Sequence, residues 1–380
     1  MADRDGEIVA RIGKGVASFG AAEWDACAGA GNPFLSHAFL SALEESGSAT
    51  ARTGWQPVPI AIDGPGGAAA AVMPAYAKSH SQGEYVFDHG WANAYERAGG
   101  RYYPKLQIAV PFTPVPGRRL LTANPALARP LIAAAEQVVR SNGLSSAHAT
   151  FIAPEEVPLF EEAGWLIRVD SQFHWHNDGY GSFEDFLGAL SSRKRKAIRK
   201  ERRVALQGLT VAHVTGSAIT EAHWDSFWHF YQDTGSRKWG RPYLTRRFFS
   251  LLGERMADKV LLVFAMENGV PIAGALNLIG EDALYGRYWG ALADVPHLHF
   301  EICYYQAVDF AIAHGLRRVE AGAQGEHKLS RGYRPVPTYS AHYLADPGLA
   351  RAVAGFLEAE RQAVEREIAA LEDMGPFRKA

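Results

Sequence analysis

Cysteine is scarce in this sequence. The chain has 380 residues and two cysteines, Cys27 and Cys303, which are far apart and lie among apolar neighbours. Two such residues form neither a disulfide framework nor the closely spaced ligand sets that bind zinc. The sequence therefore predicts a fold that is held together by its hydrophobic core, with no bound metal.

Long apolar runs and an excess of charge of one sign are also missing. The longest apolar run, Val260–Met266, is far too short to cross a bilayer, and the N-terminal residues lack the apolar segment of a signal peptide. The 39 Lys and Arg side chains nearly balance the 41 Asp and Glu, for a net charge of −2. This balance argues against binding nucleic acid by bulk charge. We expect a cytoplasmic protein, and peripheral contact with the inner face of the membrane stays open.

The chain does have an order of predicted elements that occurs twice. Each half shows helices, an antiparallel hairpin, a strand, a helix closed by Gly-Leu and a short strand; the hairpins are PVPIAIDGPGGAAAAVMPAY and VLLVFAMENGVPIAGALNLI. In the first half, the strand after the hairpin is predicted at Tyr85–Trp91. This alternation indicates α/β domains with mixed sheets. We predict domains at residues 1–178 and 179–345 and a C-terminal helical arm at 346–380.

The second of these helix–strand units carries most of the candidate chemistry. The apolar pattern predicts a buried helix over about His299–His314, which Gly315 ends, and then a strand at Arg317–Ala321. Glu301 on this helix and Glu320 on this strand have apolar neighbours, so each carboxylate is either paired or has a raised pKa. The next loop adds His327, Lys328 and Arg331. This convergence indicates a site, while helix capping by Glu301 and ion pairing of Glu320 stay open as structural alternatives.

A second group of polar residues is strongly basic. Ser182 begins a capping-box pattern with Asp185, and one helix is predicted over residues 183–206. On it, the cations predicted to bind phosphate are Arg193, Lys194, Arg195, Lys196, Arg199 and Lys200. Dense charge of one sign destabilises a helix unless anions neutralise it. A coenzyme, a tRNA backbone, anionic lipid headgroups and acids elsewhere in the chain all stay open as the source of those anions.

Several stretches of the chain resemble one bacterial family. They include NPFLSHAFLSALEESG, YVFDHGWANAY, SRKRKAIRKER, YGRYWG and the segment from Phe300 to Pro335. In these stretches the chain resembles the FemAB-like proteins labelled peptidoglycan biosynthesis/recognition, and its element order is similar to that of tandem GNAT acyltransferase domains. It departs from GNAT domains at ALADVPHLH (291–299), which lacks the Gly-rich loop whose backbone N–H groups hold the pyrophosphate of coenzyme A.

The resemblance implies an amide-forming N-acyltransferase that uses acyl-CoA as cosubstrate and binds no cofactor. Its acceptor would be a small-molecule or lipid amine, and a link of similar proteins to sphingolipid N-acylation implies a long-chain or sphingoid amine. Three alternatives stay open: an aminoacyl-tRNA-dependent transferase acting on a cell-wall precursor, an acyl carrier protein as donor, and a non-catalytic protein that binds lipid or glycan. We expect no stable complex with nucleic acid.

Amide formation requires a base for the amine and hydrogen-bond donors for the oxyanion, which guides the choice of site residues. As catalytic residues we predict Glu301, Glu320, His327 and Lys328. As substrate-binding residues we predict Asp88, Trp91, Tyr103, Lys105, Arg287, Tyr288, Trp289, Tyr305 and Arg331.

Overall fold

Strands and helices alternate along the described part of the chain. The structure is a computed structural model that describes residues 8–238, 242–322 and 325–378. Its strands are β1 (Ala10–Ile12), β2 (Trp55–Pro57), β3 (Ile60–Asp63), β4 (Ala69–Met73), β5 (Ala75–Lys78), β6 (Lys105–Ile108), β7 (Leu121–Thr122), β8 (Ser146–Ile152), β9 (Leu166–His176), β10 (Thr210–Thr215), β11 (Val260–Glu267), β12 (Val270–Ile279), β13 (Ala283–Ala291), β14 (Arg318–Glu320) and β15 (Arg334–Leu344).

The helices include one interrupted by a π-helical turn. They are α1 (Ala21–Ala28), α2 (His37–Glu45), α3 (His89–Arg97), α4 (Ala128–Asn142), α5 (Val157–Glu162), α6 (Phe183–Ala189), α7 (Ser192–Ala205), α8 (Glu221–Lys238), α9 (Arg246–Met256), α10 (Leu298–Phe300), α11 (Gln306–Ala313) and α12 (Pro347–Asp373). The π-helical turn Glu301–Tyr305 joins α10 to α11, so residues 298–313 form one helical segment. Among the described helices, none has both the length and the apolar character that crossing a bilayer requires.

The chain divides into two compact units. Unit 1 is formed by the described residues up to Asp170, apart from Gly31–Pro33, together with Thr338–Ala363. Unit 2 is formed by the remaining described residues. Both β9 and β15, as well as α12, begin in one unit and end in the other, so the units are discontinuous in sequence. The domain boundaries at residues 178 and 345 stay a prediction.

Unit 1 contains two sheets. The smaller sheet has the strand order β1-β3-β4-β7, and the larger one runs from the C-terminal half of β15 through β8, β6 and β5 to β2. Strands β6 and β8 are parallel, so the chain between them has to cross over from one end of the pair to the other. This crossover contains α4. The apolar face of α4 packs Leu131 and Ile132 against Leu106 and Ile108 of β6. This packing fixes the position of the β6–β8 pair.

Unit 2 contains one mixed sheet with the strand order β10-β11-β12-β13-β14 and then the C-terminal half of β9. The β11–β12 hairpin turns at Asn268 and Gly269, both with positive φ, as the tightest hairpin turns require. Strands β13 and β14 are parallel, and the buried helical segment 298–313 forms their crossover. The predicted α/β class with mixed sheets is therefore confirmed, and Gly315, with φ of 66°, ends this helix as predicted.

One predicted strand is wrong. Residues Tyr85–Trp91 do not form a strand: α3 begins at His89, and the strands on either side of it in the chain are β5 and β6. The residues from His89 onward include several good helix formers, and they place the buried Trp91 and Ala92 on one side of the helix. This short helical pattern overrides the β-propensity of the aromatic residues.

The predicted basic helix over residues 183–206 is two helices. Helix α6 ends at Ala189 and α7 begins at Ser192, with Leu190 in an extended conformation between them. Leu190 is fully buried and forms a bridge with Phe377, while the Ser191 N–H donates to the carbonyl of Pro376. Burial of Leu190 against the end of the chain therefore breaks the helix. The predicted cap is confirmed, since the Ser182 side chain accepts from the Asp185 N–H.

Candidate active site

The parallel strands β13 and β14 diverge after a short pairing. They pair over three positions, from Ala283 opposite Arg318 to Tyr285 opposite Glu320. Strand β14 then ends, whereas β13 continues to Ala291. In the same stretch the register between β12 and β13 shifts by one residue, between Leu276 and Asn277, as it does at a β-bulge. The last six residues of β13 are therefore not paired with β14.

A pocket of about 110 Å³ opens at this divergence. Its wall is formed by β12, β13, the end of β14 and the helical segment 298–313. The lining residues are Ala275, Leu276, Asn277, Gly286, Arg287, Tyr288, Trp289, His299, Cys303, Tyr304 and Ala321. Three residues that the sequence predicts to bind substrate, Arg287, Tyr288 and Trp289, are thus adjacent to one opening. The pocket combines an apolar floor with a few polar groups, as small-molecule sites do.

The helical wall of the pocket contributes a phenol linked to a histidine. Tyr304 lies in the π-helical turn, and its hydroxyl is 3.0 Å from Nε2 of His327. Burial raises the pKa of Tyr304 well above its ordinary value, so the phenol keeps its proton at neutral pH. His327 is exposed, which connects this hydrogen bond to solvent. The predicted residue His327 therefore reaches the pocket through Tyr304.

Lys328 follows His327 in the chain and is buried. It is 1% exposed, and its Nζ donates to the carbonyl of Gly322 at 2.7 Å. Burial lowers the pKa of Lys328 to about 8. Lys328 itself lies in a short helical turn between Gly325 and Gly332, and its side chain carries a proton that it can release near neutral pH.

Glu320 is a buried carboxyl with one satisfied oxygen. Oε1 accepts from Nε of Arg318 at 2.9 Å, while Oε2 has no hydrogen-bond partner among the described residues and lies 3.8 Å from Nε2 of His174. Burial raises the pKa of Glu320 to about 7, although Arg318 opposes that rise. Burial also lowers the pKa of His174 to about 3. Its imidazole is therefore neutral at neutral pH, and the two side chains do not form an ion pair there.

Glu301 is engaged in a bidentate ion pair. Its two oxygens accept from Nη2 and Nε of Arg202 at 2.9 and 3.1 Å, and Oε1 also accepts from Gln306 at 2.7 Å. Arg202 contacts Asp309 as well. Glu301 is 0% exposed and does not line the pocket. This is the paired arrangement that the sequence left open, and the catalytic role of Glu301 stays a prediction.

Two further predicted residues, Tyr305 and Arg331, meet at one acid of the basic helix. Both oxygens of Glu201 accept from Nη2 of Arg331 at 3.0 Å, and the Tyr305 hydroxyl donates to the same carboxylate. The Arg331 guanidinium also lies 3.4 Å from the centre of the Phe300 ring. These contacts attach α7 to the helical wall of the pocket, so Tyr305 and Arg331 connect elements rather than face the opening.

In unit 1, the predicted residues Asp88 and Lys105 belong to a buried charged cluster, which the partly buried Tyr103 borders. Nζ of Lys105 donates to Ser81 at 2.8 Å and to Glu84 at 2.7 Å, and it also pairs with Asp88. Tyr103 bonds to Ser81. Burial alone raises the pKa of Asp88, but Lys105 outweighs it and holds that pKa well below its usual value. Burial disfavours the Lys105 cation, yet Glu84 and Asp88 raise its pKa.

Two histidines extend this cluster. The Tyr102 hydroxyl donates to Asp88 at 2.8 Å and lies 3.2 Å from Nε2 of His148. Nδ1 of His148 is 2.7 Å from Nδ1 of His342, and the predicted residue Trp91 stacks edge-on against His342. Burial and then Lys105 lower the pKa of His148 to about 3. With Glu84 and Lys78, the members balance their own charges inside a closed shell of protein.

The six predicted phosphate-binding residues differ in their surroundings. Arg199 pairs with Glu184. The other five, together with Arg203, form no ion pair with any described residue; they are Arg193, Lys194, Arg195, Lys196 and Lys200. Helix α7 thus presents uncompensated positive charge to solvent.

Sequence reasoning missed several residues of both sites. Asn277, His299, Cys303 and Tyr304 line the pocket. One signal was available, because Asn277 is a lone polar residue in an otherwise apolar strand. The others belong to a helix whose apolar pattern predicted only burial. In unit 1 the missed members are Lys78, Ser81, Glu84, Tyr102, His148 and His342.

Comparisons with solved structures define the class of fold. The chain is similar to FemX, with a TM-score of 0.56 and 12% identity over 88% of this chain and 98% of that one. It is also similar to L-PGS from Bacillus licheniformis, with a TM-score of 0.52 and 11% identity over 86% and 96%. The C-terminal domain of a putative lysylphosphatidylglycerol synthetase from Agrobacterium fabrum gives a TM-score of 0.51 and 12% identity over 82% and 95%. These likenesses establish a shared fold.

The family follows from the sequence itself. Residues 15–379 match the FemAB-like family, described as peptidoglycan biosynthesis/recognition. The chain therefore belongs to the FemAB-like family, as its resemblance implied. No curated protein matches it in sequence.

Proposed function

We propose that this protein is an amide-forming acyltransferase and that the pocket beside β13 holds the acyl group during transfer. The observation that carries this proposal is the early end of β14, which leaves the last six residues of β13 open to a ligand. The Asn277 amide N–H donates to the Leu261 carbonyl at 3.3 Å, but an activated carbonyl lying along this strand has the N–H donors of the Arg287 guanidinium within the same pocket. Such donors stabilise the oxyanion that forms when an amine attacks the carbonyl.

The proton of the attacking amine has a route out of the pocket. As the new C–N bond forms, the amine proton passes to the Tyr304 oxygen while the Tyr304 proton moves to Nε2 of His327, 3.0 Å away. Exposed His327 then exchanges the proton with solvent. The leaving group departs with the electrons of its bond to the carbonyl carbon and takes up a proton, for which buried Lys328 is a nearby source.

The donor that we favour is an acyl-CoA, and the acceptor is a small-molecule or lipid amine. The pocket volume of about 110 Å³ encloses only the first atoms of an acyl chain, so a long chain would extend beyond the described lining. The fold shared with a putative lysylphosphatidylglycerol synthetase supports a lipid acceptor. A sphingoid-type amine is the long-chain acceptor to test first.

A second candidate donor is an aminoacyl-tRNA, with a cell-wall precursor as acceptor. Membership of a family described as peptidoglycan biosynthesis/recognition supports it. The small pocket supports it too, because an aminoacyl group needs less room than a long acyl chain.

The test is amide formation followed by mass spectrometry. The protein is incubated with acyl-CoAs from short to long chain, or with aminoacyl-tRNAs, in the presence of sphingoid amines and amino-terminated cell-wall precursors. With the active pair, Tyr304→Phe should lower kcat by about 100-fold, as loss of an acid–base group does. Its melting temperature should stay close to that of the wild type, because the ring remains in place.

A matched control is Tyr95→Phe, which removes a hydroxyl from α3 in unit 1 and should leave kcat unchanged. Wild-type turnover in folded Tyr304→Phe would remove the proposed proton route. If no donor yields an amide while lipids or glycans bind, the protein is a non-catalytic binding protein of this fold.

A further inference from the structure

Helix α7 carries a stripe of four exposed cations, Arg193, Lys196, Lys200 and Arg203. Their spacing of three, four and three residues places them on one side of the helix, over about 15 Å of its length. None of the four forms an ion pair with a described residue. We call this set the cationic stripe. Neighbouring cations at these spacings repel one another, so the stripe is charged without internal compensation.

The opposite side of α7 is firmly attached to unit 2. Ile198 is 2% exposed and belongs to the hydrophobic core, Arg202 pairs with buried Glu301, and Glu201 pairs with Arg331. These anchors hold the helix with the cationic stripe facing solvent. The repulsion within the stripe is therefore tolerated in a rigid arrangement that a complementary anionic surface would relieve.

The long helix α12 shows what an ordinary solvated face looks like in this chain. There, exposed Arg366 lies between Glu365 and Glu367, and Arg168 of β9 pairs with Glu360 at 2.7 Å. Charges of both signs alternate on α12, as they do on faces that serve solubility. The single-sign stripe on α7 departs from this pattern, although the net charge of the whole chain is −2.

The geometry of the stripe selects among anionic partners. A compact phosphate needs donors that converge, whereas these four side chains are spread along a convex helix. Recognition of single-stranded RNA uses aromatic side chains on which bases stack, and the exposed residues of α7 are Ser192, Ala197 and cations. A flat anionic surface contacts all four cations together, because they lie on one side of a straight helix.

We propose that the cationic stripe docks the protein on an anionic membrane surface. The contact is electrostatic and peripheral, with no inserted apolar face, since the apolar residues of α7 are buried in unit 2. Helix α7 packs on the segment that lines the pocket, through Glu201 and Tyr305. Docking through the stripe would therefore hold the pocket wall close to the lipid surface.

The test is co-sedimentation of the full chain with two kinds of vesicle. One kind is phosphatidylcholine alone, and the other is phosphatidylcholine mixed with phosphatidylglycerol. We expect binding to the anionic vesicles alone, weakening as salt is added. Each cation removed should lower that binding by about fivefold, so the variant with Arg193→Gln, Lys196→Gln, Lys200→Gln and Arg203→Gln should lose it.

A control variant separates the stripe from total charge. Four exposed cations elsewhere are replaced in it, as Arg52→Gln, Arg97→Gln, Arg101→Gln and Arg366→Gln. It changes the net charge by the same amount and should bind anionic vesicles as the wild type does.

Equal loss in both variants would show a non-specific charge effect and would overturn the proposal. Absence of vesicle binding by the folded wild type would overturn it as well. So would stripe-dependent binding of an RNA duplex by a protein that ignores anionic vesicles. Melting temperatures of both variants close to that of the wild type ensure that a loss of binding reports on the stripe.

Discussion

Unit 1 and unit 2 each bury ionisable side chains beside a pair of parallel strands, β6 and β8 in one and β13 and β14 in the other. In unit 1, Lys105 of β6 and His148 of β8 belong to a cluster that balances its own charges and is closed to solvent. In unit 2, the strand pair diverges, and Arg287 and Tyr304 border a pocket. Buried charge alone therefore does not mark a catalytic site. What distinguishes unit 2 is that a pocket opens beside its buried polar groups.

The difference also explains what each set can do. A closed network of charges gains from mutual pairing, so we expect its members to act on stability, while the substrate-binding role of Asp88, Tyr103 and Lys105 stays a prediction. An open pocket leaves polar groups available to a substrate. Three predictions sharpen this contrast, and the largest effect is expected in the closed cluster.

Replacing Lys105 should cost the most. Lys105→Met leaves Asp88 buried without the cation that pairs with it, whereas Glu84 keeps Lys78 at 3.7 Å. Breaking a buried pair in this way typically costs about 3–5 kcal/mol. The free energy of unfolding from denaturant titration at neutral pH measures this loss. The control Lys14→Met removes an exposed lysine and should change the unfolding free energy by less than about 0.5 kcal/mol. A loss below 1 kcal/mol for Lys105→Met would contradict the view of a cooperative closed cluster.

Glu320 should make the stability of the protein depend on pH. Burial raises the pKa of Glu320 in the folded state to about 7, from an ordinary value of 4.5. Between these two pH values the folded protein therefore keeps a proton on Glu320 that the unfolded chain releases. Wild type therefore loses stability, relative to Glu320→Gln, as pH rises from 4.5 to 7, by about 3 kcal/mol.

Unfolding of wild type and Glu320→Gln at several pH values gives this difference directly. The variant keeps the shape of the side chain, so packing is matched between the two proteins. A difference that does not change with pH would mean that folding leaves the pKa of Glu320 unchanged, and it would contradict this prediction.

Glu301 should show a smaller effect, on stability rather than on the pH profile of turnover. Glu301→Gln weakens the contact with Arg202, which keeps Asp309 as a partner, so we expect a loss of about 1–3 kcal/mol. Denaturant unfolding measures this loss, and the pH profile of kcat should be unchanged. A shifted profile in the folded variant would instead support the prediction that Glu301 is the base.

Much of the fold was accessible from sequence because local signals agree with it. The helix ended by Gly315, the strand at Arg318–Glu320 and the Ser182 cap appear where the pattern predicts them. The strand predicted at Tyr85–Trp91 was wrong because a short aromatic stretch fits a strand and a buried helix face equally well. The break at Leu190 depends on contact with Phe377, which no local pattern reveals.

The candidate site was accessible only in part. Arg287, Tyr288 and Trp289 stand out as aromatic and basic residues near the end of a strand, and they do line the pocket. The helical wall was missed because Cys303 and Tyr304 follow an apolar periodicity, and a π-helical turn shifts which side chains face the sheet. The sequence does not show that Lys105 pairs with Glu84 and Asp88 or that Tyr102 donates to Asp88, because these partners are distant in the chain.

The central claim is that the acyl donor occupies the pocket beside β13, and Cys303 offers a direct measure of it. Cys303 is partly exposed and lines the pocket, whereas Cys27 is buried in unit 1. The rate at which iodoacetamide alkylates each cysteine can be followed by peptide mass spectrometry, with and without a donor that supports amide formation. We predict that the donor slows alkylation of Cys303 at least about tenfold, as saturating occupancy of a site would, and leaves Cys27 unaffected. An active donor that leaves the alkylation rate of Cys303 unchanged would contradict the account.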